Sequence, residues 1–415
     1  MADVIVFENA RLFDGVSREL SDGVSVAVEG DTIKEVTKGA IGGSPARRID
    51  VAGKVLMPGL IDAHFHAIAV HPDIARIEKM PASLLSQMSR ELLENSLMRG
   101  FTTIRDAAGA DYGLAMAIEK GLVKGPRMHF AGKALTQTGG HGDFRPYEEN
   151  TTMAVCHCCR GGATLAAIAD GVDAVRKAAR EELRRGATQI KIMASGGVAS
   201  PSDPIWNLQY SDEEIAAAVW EARSWRKYVM AHAYMPEAIE RCVIHGVRSI
   251  EHANLIDERV AAIAAEHGAY VVPTLVTYEA MNRFGKEQGL PKVSLDKLEV
   301  VIKAGLKSLE ILKAAKVKTG FGTDLLGDMH AHQSREFSIR ADVLTPAEVL
   351  ISATSTNAEL MQQEGRLGTV APGAVADLLV VDGNPLEDIN VLEHQGRNLD
   401  VIMKGGRFYK DRLAA

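Results

Sequence analysis

The middle of the chain, from about residue 58 to residue 367, alternates short apolar runs with long amphipathic segments. Each apolar run has the length of a buried β-strand, and each amphipathic segment has the spacing and length of a helix. The eight runs are 60–65, 100–107, 126–132, 188–195, 228–233, 247–253, 269–275 and 318–324. Eight strands that alternate with helices indicate an α/β fold and predict a parallel (β/α)8 TIM barrel.

The amphipathic segments give four helix predictions, at residues 83–99, 165–185, 211–226 and 295–316. The third opens on Ser211 with Glu214 three residues later, which is the pattern of a capping box at a helix N-terminus. In a barrel of this kind the loops that follow the strands converge at one end, where the chemistry takes place. Polar residues at the carboxyl ends of the predicted strands are therefore the candidates for a functional site.

Both ends of the chain have a different pattern. Residues 4–51 read as short strands separated by Asp-Gly and Gly-Gly turns, without a helical period. The same pattern returns near the C-terminus, where residues 376–381 are a buried-strand run and Gly405-Gly406 marks a turn. We expect the two ends, residues 1–57 and 368–415, to pair into one small antiparallel β domain around a barrel domain of residues 58–367.

The composition excludes several kinds of partner. The 415 residues carry a formal net charge of -7 with both signs interleaved, so no basic stripe is present for nucleic acid. No apolar run approaches the roughly 18 residues of a membrane span. The first ten residues lack the basic and apolar regions of a secretory signal, which favours the cytoplasm; a leader trimmed from the natural chain stays an open alternative.

Three of the four cysteines cluster around a histidine, at Cys156, His157, Cys158 and Cys159. The cluster resembles a metal knuckle, but no second ligand pair follows at zinc-finger spacing, so structural or incidental thiols are the preferred interpretation. The fourth cysteine, Cys242, stands alone. We expect no disulfide framework in a chain this long with so few cysteines.

His64 and His66 end the first predicted strand, within the segment KVLMPGLIDAHFH. Because side chains alternate along a strand, the two imidazoles project from the same face. Two imidazoles on one face of a rigid strand form half of a metal site. Taken alone, the pair is equally compatible with surface histidines at a strand end.

Four further polar residues fall within or at the ends of later predicted strands. Lys191 interrupts the fourth strand, and Asp324 ends the eighth. His232 and His252 end the fifth and the sixth. Each alone has an ordinary structural explanation, such as a hydrogen-bonded core histidine, a snorkelling lysine or a helix-capping aspartate. Together, four histidines, a lysine and an aspartate at one barrel mouth predict a metal site.

This order of residues resembles the amidohydrolase superfamily, in its branch with two metal ions. The segments PGLIDAHFH, GGHGD, KIMASGG, AHAY, IEHA, GTD and APGAVADLLVVDGNPL carry the resemblance, which covers essentially the whole chain. They are similar to the imidazolonepropionase-like group, which contains metal-dependent Xaa-amino-acid dipeptidases and carboxypeptidases and enzymes that hydrolyse the amide of ochratoxin A. The resemblance implies that the terminal strands build a composite β-sandwich.

The resemblance also implies a pair of divalent metal ions, and imidazole ligands favour zinc. It implies that Lys191 reacts with carbon dioxide to form a carbamate, which turns a cation into a carboxylate that bridges the two ions. Asp324 is expected to take the proton of a metal-bridging hydroxide and deliver it to the leaving nitrogen, so Asp324 and Lys191 are the expected catalytic residues. The expected ligands are His64, His66 and Asp324 for the more buried ion, His232 and His252 for the other, and Lys191 for both.

Residues in the loops after the strands are candidates for substrate contact. His141 lies in the glycine-rich segment TGGHGD, where backbone flexibility lets a side chain approach a ligand; the alternative is that it only anchors its loop. Tyr234 lies two residues after His232 and shares its face in a continuing strand. In the dipeptidase relatives the matching residues help to hold the substrate carboxylate or carbonyl. Ser195 and Gly196 form a second expected substrate loop.

Four other polar residues have weaker assignments. Asp106, at the end of the second predicted strand, either supports the metal ligands from behind or caps local backbone. His330 and His332 follow the eighth strand, and solvated loop residues are the preferred interpretation. Arg145 is a candidate partner for a substrate carboxylate on its charge alone.

The favoured hypothesis is hydrolysis of the amide bond of a dipeptide or an N-acyl amino acid, as by a dipeptidase or carboxypeptidase, with ochratoxin A as one candidate substrate. The alternative is a cyclic amide hydrolase or deaminase of the imidazolonepropionase type, although such sites generally use one metal and lack the bridging lysine. A non-catalytic assembly protein is disfavoured by the complete ligand set, and lactone or phosphotriester hydrolysis stays open. Relatives are often homo-oligomers, which we also expect here.

Overall fold

The structure is a computed structural model, and it describes residues 4–43, 47–145, 164–200 and 202–413. Its strands form two groups, one from the two ends of the chain and one from the middle. The terminal strands are β1 (Val4–Leu12), β2 (Ser21–Glu29), β3 (Thr32–Lys38), β4 (Arg47–Asp50), β5 (Val55–Pro58), β16 (Leu378–Val381), β17 (Leu399–Lys404) and β18 (Arg407–Asp411). The middle strands are β6 (Leu60–Phe65), β7 (Phe101–Asp106), β8 (Arg127–Phe130), β9 (Ala134–Thr136), β10 (Ala166–Ile168), β11 (Ile190–Met193), β12 (Val229–Ala233), β13 (Ser249–His252), β14 (Tyr270–Val272) and β15 (Lys318–Thr319).

Helices separate most of the middle strands and continue beyond the last of them. They are α1 (Ile74–Ile77), α2 (Ala82–Met98), α3 (Tyr112–Glu119), α4 (Val172–Arg184), α5 (Asp212–Ser224), α6 (Pro236–Ile244), α7 (Glu258–Glu266), α8 (Leu275–Phe284), α9 (Lys292–Ile302), α10 (Gly305–Ala314), α11 (Arg335–Ala341), α12 (Pro346–Ile351) and α13 (Asn357–Leu360). Two 3-10 turns, at Gly327–His332 and Ile389–Leu392, and a π-helical turn at Ser352–Thr356 complete the helical segments.

The terminal strands form one sheet, in the order β18-β17-β16-β5-β1-β2-β3, with β4 also paired to β1. The two ends of the chain meet where β16 runs antiparallel to β5, with Leu378 opposite Pro58. The expected joining of the two ends is confirmed, and most strand pairs of this sheet are antiparallel as expected. Both β4 and β5 run parallel to β1, because each returns through a connection longer than a hairpin turn.

The middle strands form two parallel sheets, one in the order β10-β9-β11-β12-β13-β14-β15 and one in the order β6-β7-β8. All eight predicted strand runs contain a strand. The strand ladders do not close into a ring, although backbone hydrogen bonds cross both seams. Ala63 N donates to Phe321 O at 2.8 Å at one seam, and Thr188 N donates to Phe130 O at 2.9 Å at the other. The architecture is thus a mixed α/β fold with parallel sheets and a separate terminal sheet.

The helix predictions were correct where the periodic pattern was strongest. Ser211 caps α5 through the expected capping box with Glu214, and α2 matches the predicted residues 83–99 closely. The predicted helix at 165–185 begins as strand β10, because residues 166–168 pair with β9, and only its later part is α4. The predicted helix at 295–316 is instead two helices, α9 and α10.

The strands β6, β7, β11, β12 and β13 are buried along their whole length. Helices cover one face of a parallel sheet and the opposite face packs inward, so every position on such strands is shielded from water. In the part of the chain that the structure describes, no helix is both long enough and apolar enough to cross a membrane.

An ion pair joins the terminal sheet to the parallel sheets. Arg127 on β8 donates two hydrogen bonds to Asp377, at 2.6 and 3.2 Å, and the backbone N–H of Gly405 donates to the same carboxylate at 2.7 Å. The Asp377 side chain is buried, and burial alone would lower the pKa of Arg127, but the charge of Asp377 raises it. A buried carboxylate held by three hydrogen bonds ties the two parts of the fold together.

We expect Asp377→Ala to lower the free energy of unfolding by about 2 kcal/mol, because the change leaves the Arg127 guanidinium and a backbone N–H without their acceptor. Urea unfolding followed by circular dichroism measures this difference. The matched control is Asp382→Ala, whose exposed carboxylate pairs with Lys54 at 3.2 Å and should change stability by no more than about 0.5 kcal/mol. Equal effects of the two changes would contradict the special role of the Asp377 contact.

Candidate active site

Strand register brings residues that are distant in the sequence to one edge of the parallel sheets. β11 and β12 pair so that His232 lies beside Met193, and in the pairing of β12 with β13, His252 lies one residue beyond His232. At the seam next to β6, the backbone N–H of Asp324 donates to the carbonyl of His64 over 2.8 Å. The carboxyl ends of several strands therefore meet around one space.

The predicted metal ligands line a single cavity at this edge. His64 Nε2 and His66 Nε2 lie 3.3 and 3.0 Å from Asp324 Oδ1, and ligand atoms of these three residues all lie within 4.8 Å of one another. The ring centroid of His252 is 4.9 Å from that of His64 and 4.7 Å from that of His232. The cavity-lining ligand candidates are His64, His66, Lys191, His232, His252 and Asp324.

The rings of His64 and His66 are held from behind by their Nδ1 atoms. His64 Nδ1 donates to Glu251 Oε2 at 2.7 Å, and His66 Nδ1 lies 3.4 Å from the carbonyl oxygen of Ala108. A carboxylate and a carbonyl only accept hydrogen bonds, so a hydrogen sits on Nδ1 of each ring, and Nε2 is the nitrogen that faces Asp324 and the cavity. Such a contact behind a histidine fixes the tautomer that binds a metal ion.

The other two histidines are held in a similar way. His232 Nε2 donates to the carbonyl of Gly196 at 3.1 Å, and His252 Nδ1 lies 2.8 Å from Thr274 Oγ1. Burial lowers the pKa of both rings well below the usual histidine value. Both imidazoles are therefore neutral at pH 7, which is the form that binds metal ions.

Asp324 is the only aspartate among the residues that line the described cavity. Burial by itself would raise its pKa, but the neighbouring His64 and His66 hold the pKa well below its usual value, so the carboxyl is ionised. Asp324 has φ 53° and His252 has φ 75°, which are unfavourable backbone conformations for residues with a side chain. Strain of this kind costs about 1–3 kcal/mol per residue and clusters at functional sites.

Lys191 lies on β11 and is only 2% exposed. Burial lowers the pKa of its amine to about 8. No hydrogen bond or ion pair joins Lys191 to another residue that the structure describes. A buried lysine without a partner is costly, and such residues are candidates for a chemical role.

Glu251 and Arg105 form a buried ion pair that sequence analysis did not assign. Glu251 sits between His64 and Arg105, whose Nη2 lies 2.9 Å from Glu251 Oε1, and both side chains are 0% exposed. Burial would raise the pKa of Glu251, but the charge of Arg105 and the contact with His64 lower it to about 2. Arg105 lies in the buried strand β7 and Glu251 in the buried strand β13. A charged residue within an apolar strand indicates a buried partner, but only the fold shows that these two residues face each other.

Asp62 is a second buried carboxylate that sequence analysis missed. Its oxygens accept hydrogen bonds from the backbone N–H of Thr323 at 3.2 Å, from the hydroxyl of Thr323 at 2.6 Å and from Gln333 Nε2 at 2.9 Å. It also accepts from the backbone N–H of His64 at 3.1 Å. These contacts fasten β6 to the segment that carries Asp324, and they fix the spacing between His64 and Asp324.

His141 and Tyr234, for which the sequence predicts a role in substrate binding, both line the cavity. The His141 ring stacks on His232, with centroids 4.1 Å apart. The Tyr234 hydroxyl lies 2.9 Å from the hydroxyl of Tyr278, which also lines the cavity and was not anticipated from the sequence. These residues place a ring nitrogen and two hydroxyl groups beside the candidate metal ligands.

Ser195 and Gly196 do not line the cavity, in contrast to the predicted substrate loop. Ser195 Oγ accepts a hydrogen bond from the backbone N–H of Tyr234 at 3.0 Å, and Gly196 provides the carbonyl that holds His232. A Cβ added to Gly196 would lie 1.8 Å from the carbonyl oxygen of Pro204. Their contacts in the structure support the cavity wall, and their role in substrate binding stays a prediction.

Three of the weaker assignments involve residues outside the cavity lining. Arg145 lies against Asp143, with N–O distances of 2.7 and 2.5 Å. The prediction that His330 is solvated is wrong, because the 3-10 turn folds its ring against Phe65 at 4.7 Å. His332 is partly buried and stacks on Phe284.

Asp106 supports backbone near the site. Its two oxygens accept hydrogen bonds from the backbone N–H groups of Ala67 and Ala110, at 2.7 and 3.1 Å. Burial raises its pKa to about 6. The predicted cysteine cluster at Cys156, Cys158 and Cys159 lies outside the described residues, and Cys242 is buried in α6.

The remaining wall of the cavity is mainly apolar. No arginine or glutamate lines it in the part of the chain that the structure describes. Ligand pockets of this kind bind apolar groups through the wall and orient the ligand through a few polar atoms. The larger apolar residues of the wall are Ile74, Phe144, Leu165, Met193, Val198, Met281 and Leu326.

Comparison with known proteins agrees with this geometry. The sequence profile of the Amidohydrolase family matches residues 55–408. The chain belongs to the amidohydrolase family. It is 34% identical to an ochratoxinase from Aspergillus niger over 367 residues, which are 86% of this chain and 76% of the ochratoxinase.

Two solved structures are also similar to this amidohydrolase. One is described as an amidohydrolase, is 50% identical, covers 98% of this chain and 99% of its own, and has a TM-score of 0.96. The other is a prolidase in complex with N-methylphosphonate-L-proline, is 50% identical, covers 98% and 100%, and has a TM-score of 0.95. The predicted family is thus confirmed. The protein is a hydrolase that acts on amide or peptide bonds, in a metal-dependent family.

We expect Glu251→Gln to weaken retention of bound metal by roughly 10- to 100-fold, because the amide cannot replace the carboxylate that orients His64 and pairs with Arg105. Metal content after dialysis against graded chelator concentrations, with thermal unfolding as a folding check, measures this. Glu240→Gln is the matched control, since Glu240 pairs with Arg259 at 2.7 Å on the surface. Wild-type metal retention in a folded Glu251→Gln variant would disprove the supporting role.

Proposed function

We propose that this amidohydrolase cleaves the amide or peptide bond of dipeptides or N-acyl amino acids, as a dipeptidase or carboxypeptidase does. The observation that carries the proposal is the set of four histidines, one aspartate and one unpartnered lysine around a single cavity with an apolar wall. The relatives named as a prolidase and an ochratoxinase support a substrate whose leaving group is an amino acid. Ochratoxin A, an N-acyl phenylalanine, is a candidate substrate.

The residues present fit a pair of divalent metal ions, for which zinc is the proposed metal because imidazole nitrogen is its preferred ligand here. One nitrogen of each of the four rings contacts a carboxylate, carbonyl or hydroxyl group, which leaves the other nitrogen for a metal ion, and Asp324 is ionised. Bound divalent ions would lower the pKa of a water molecule and polarise the scissile carbonyl. The proposed ligands are His64, His66 and Asp324 for one ion, His232 and His252 for the other, and Lys191 for both.

We further propose that Lys191 is carbamylated. Carbon dioxide reacts with a neutral amine, and burial lowers the pKa of Lys191 to about 8, which raises the neutral fraction near pH 7. An ammonium group at this position would repel two nearby cations, whereas a carbamate supplies two oxygens with negative charge. The carbamate also provides the partner that the described residues do not offer to Lys191.

The protein's own side chains then divide the remaining tasks. Asp324 accepts the proton of the attacking water and passes it to the leaving nitrogen, because its carboxylate lies beside two ligand histidines and is ionised at rest. His141 and Tyr234 hold the substrate carbonyl or carboxylate. With no arginine lining the described cavity, hydroxyl and imidazole groups take over the recognition of a carboxylate.

Three further elements of the proposal concern the whole molecule. The two parallel sheets together form the (β/α)8 barrel, which the hydrogen bonds across both seams support. The barrel domain comprises residues 58–367, and residues 1–57 and 368–415 form the composite β-sandwich. The homo-oligomeric state and the cytoplasmic location inferred from the sequence stay predictions.

A hydrolysis screen over dipeptides, N-acyl amino acids and ochratoxin A, with metal content measured on the same sample, tests the proposed function. We expect release of the C-terminal amino acid, preference for an apolar acyl side chain, two metal ions per chain and loss of activity with a chelator. One ion per chain, together with turnover of a cyclic amide or a heterocyclic amine, would instead support the alternative of an imidazolonepropionase-like enzyme. Undiminished activity of metal-free protein would refute both.

Lys191→Ala should lower the metal content from two ions per chain to one or fewer and reduce kcat/KM by at least about 1000-fold, since the bridge between the ions is lost. A short carboxylic acid added to the assay should restore part of the activity by taking the place of the carbamate. Lys307→Ala, on the surface of α10, is the control and should match the wild type. Full activity in Lys191→Ala would refute the carbamate bridge.

A further inference from the structure

Two neighbouring residues restrict the ring of His141. His232 stacks on one face, with centroids 4.1 Å apart and planes inclined by 25°. Gly197 lies close to the ring as well, because a Cβ added to that glycine would approach His141 Cε1 to 2.1 Å and Nδ1 to 2.4 Å. Any side chain at residue 197 would displace the imidazole. The ring plane is therefore fixed before a substrate enters.

A chain of polar contacts holds the edge of the same ring. His141 Nδ1 lies 2.7 Å from Ser200 Oγ and 3.5 Å from Asp203 Oδ2. Ser200 donates its hydroxyl hydrogen to Asp203 Oδ1, since a carboxylate only accepts. The Ser200 oxygen is then the acceptor for His141, so the ring hydrogen sits on Nδ1. Nε2, which has no hydrogen bond with a described residue, is left for the cavity.

Asp203 is itself held in one position. Its Oδ2 accepts hydrogen bonds from the backbone N–H of Gly197 at 3.0 Å and from Gln209 Nε2 at 3.1 Å. The carboxylate is 2% exposed. Burial alone would raise its pKa, but the neighbouring His141 ring and the hydrogen bond from Ser200 lower it, so the group is ionised. An ionised, fully bonded carboxylate behind a histidine is the arrangement that orients imidazoles in many hydrolases.

Lys297 closes the arrangement from a different part of the chain. It lies on α9, and its Nζ donates to the carbonyls of Gly197 and Ser200 at 3.0 and 2.8 Å and lies 3.6 Å from Asp203 Oδ1. Its side chain is mostly buried, and burial lowers its pKa. A buried ammonium group that binds two carbonyls of one loop and faces its carboxylate fixes that loop over the cavity.

We propose that Ser200, Asp203 and Lys297 are positioning residues that fix the ring of His141 and keep a hydrogen on its Nδ1, so that Nε2 is the ring nitrogen that faces the substrate. This inference rests on the proposed function, which makes His141 a substrate-binding residue. The pre-set orientation removes rotational freedom that the substrate would otherwise have to restrict on binding.

Asp203→Asn removes the charge while keeping the shape. We expect kcat/KM for the best substrate of the screen to fall roughly 10- to 100-fold, mostly through kcat, because a mispositioned hydrogen-bonding group costs more in the transition state than in the ground state. Ser200→Ala should give a smaller loss in the same direction. Lys297→Met should also lower kcat/KM, whereas Lys292→Met, an exposed lysine on the same helix, is the matched control and should not.

A double-mutant cycle separates positioning from a general effect on the loop. In a His141→Gln background, Asp203→Asn should lower kcat/KM by less than about threefold further, because its effect passes through the ring that is already gone. A full additional loss of tenfold or more would show that Asp203 does not act through His141 and would overturn the proposal. Metal content should equal that of the wild type in every variant.

The tautomer can be measured without any turnover. Two-bond 15N–1H spectra of protein labelled with [15N]histidine report which ring nitrogen carries the hydrogen, and the His141→Gln variant identifies the His141 signals. We expect a protonated Nδ1 in the wild type and a loss of this preference in Asp203→Asn and Ser200→Ala. An unprotonated Nδ1 in the wild type would refute the inference even if the enzyme hydrolyses every substrate tested. A wild-type protein without amidase activity would refute the proposed function instead, and the spectra would still decide the inference.

Discussion

The burial of several ionisable side chains in one cavity is the constraint on which the rest of the structure depends. Removing an imidazole, a carboxylate or an amine from water costs free energy unless another group replaces the lost hydrogen bonds. Glu251 replaces lost water contacts most directly, because its carboxylate binds His64 with one oxygen and Arg105 with the other. Other hydrogen-bond partners, such as the carbonyl of Gly196 for His232, replace water around the site in the same way. They explain why the most buried strands carry polar residues.

This requirement also accounts for the unusual backbone at the site. His252 and Asp324 adopt positive φ values, which directs their side chains toward the cavity at the point where the strands end. Asp62 offsets part of this strain by tying the backbone of Thr323 to β6. Gly322 allows the same close approach, since an added Cβ would lie 2.7 Å from the Cβ of His64. The strained residue Asp324 therefore lies next to Thr323, whose backbone is held by the hydrogen bond to Asp62.

The sequence was sufficient to predict those features that depend on local pattern. The two-residue period of strands placed His64 and His66 on one face, and the positions of His232 and His252 at strand ends placed them at the same edge. All eight apolar runs contain strands, and the capping box at Ser211 begins a helix as expected. Short-range rules worked because each of these features is decided within a few residues of the chain.

The features that the sequence did not reveal depend on contacts between distant segments. Glu251 and Arg105 are 146 residues apart, and nothing near either residue indicates the other. The parallel pairing of β4 with β1 and the strand β10 inside a predicted helix have the same origin, since a partner strand decides the conformation. Ser195 and Gly196 were assigned to the substrate because they follow β11, but their direction is set by the contacts of His232 and Tyr234.

Lys191 connects stability with chemistry under the proposed function. A buried amine with no partner in the described chain destabilises the fold, whereas a carbamate bound to two cations is a paired and stabilised group. Ligands that bind only the folded state stabilise it by mass action, so metal ions and carbon dioxide would contribute to folding as well as to catalysis. Without these ligands, the free energy of unfolding would be lower. Under the proposed function, the folded chain without metal ions would keep the candidate ligands close together, within 4.8 Å for His64, His66 and Asp324, before any metal ion binds.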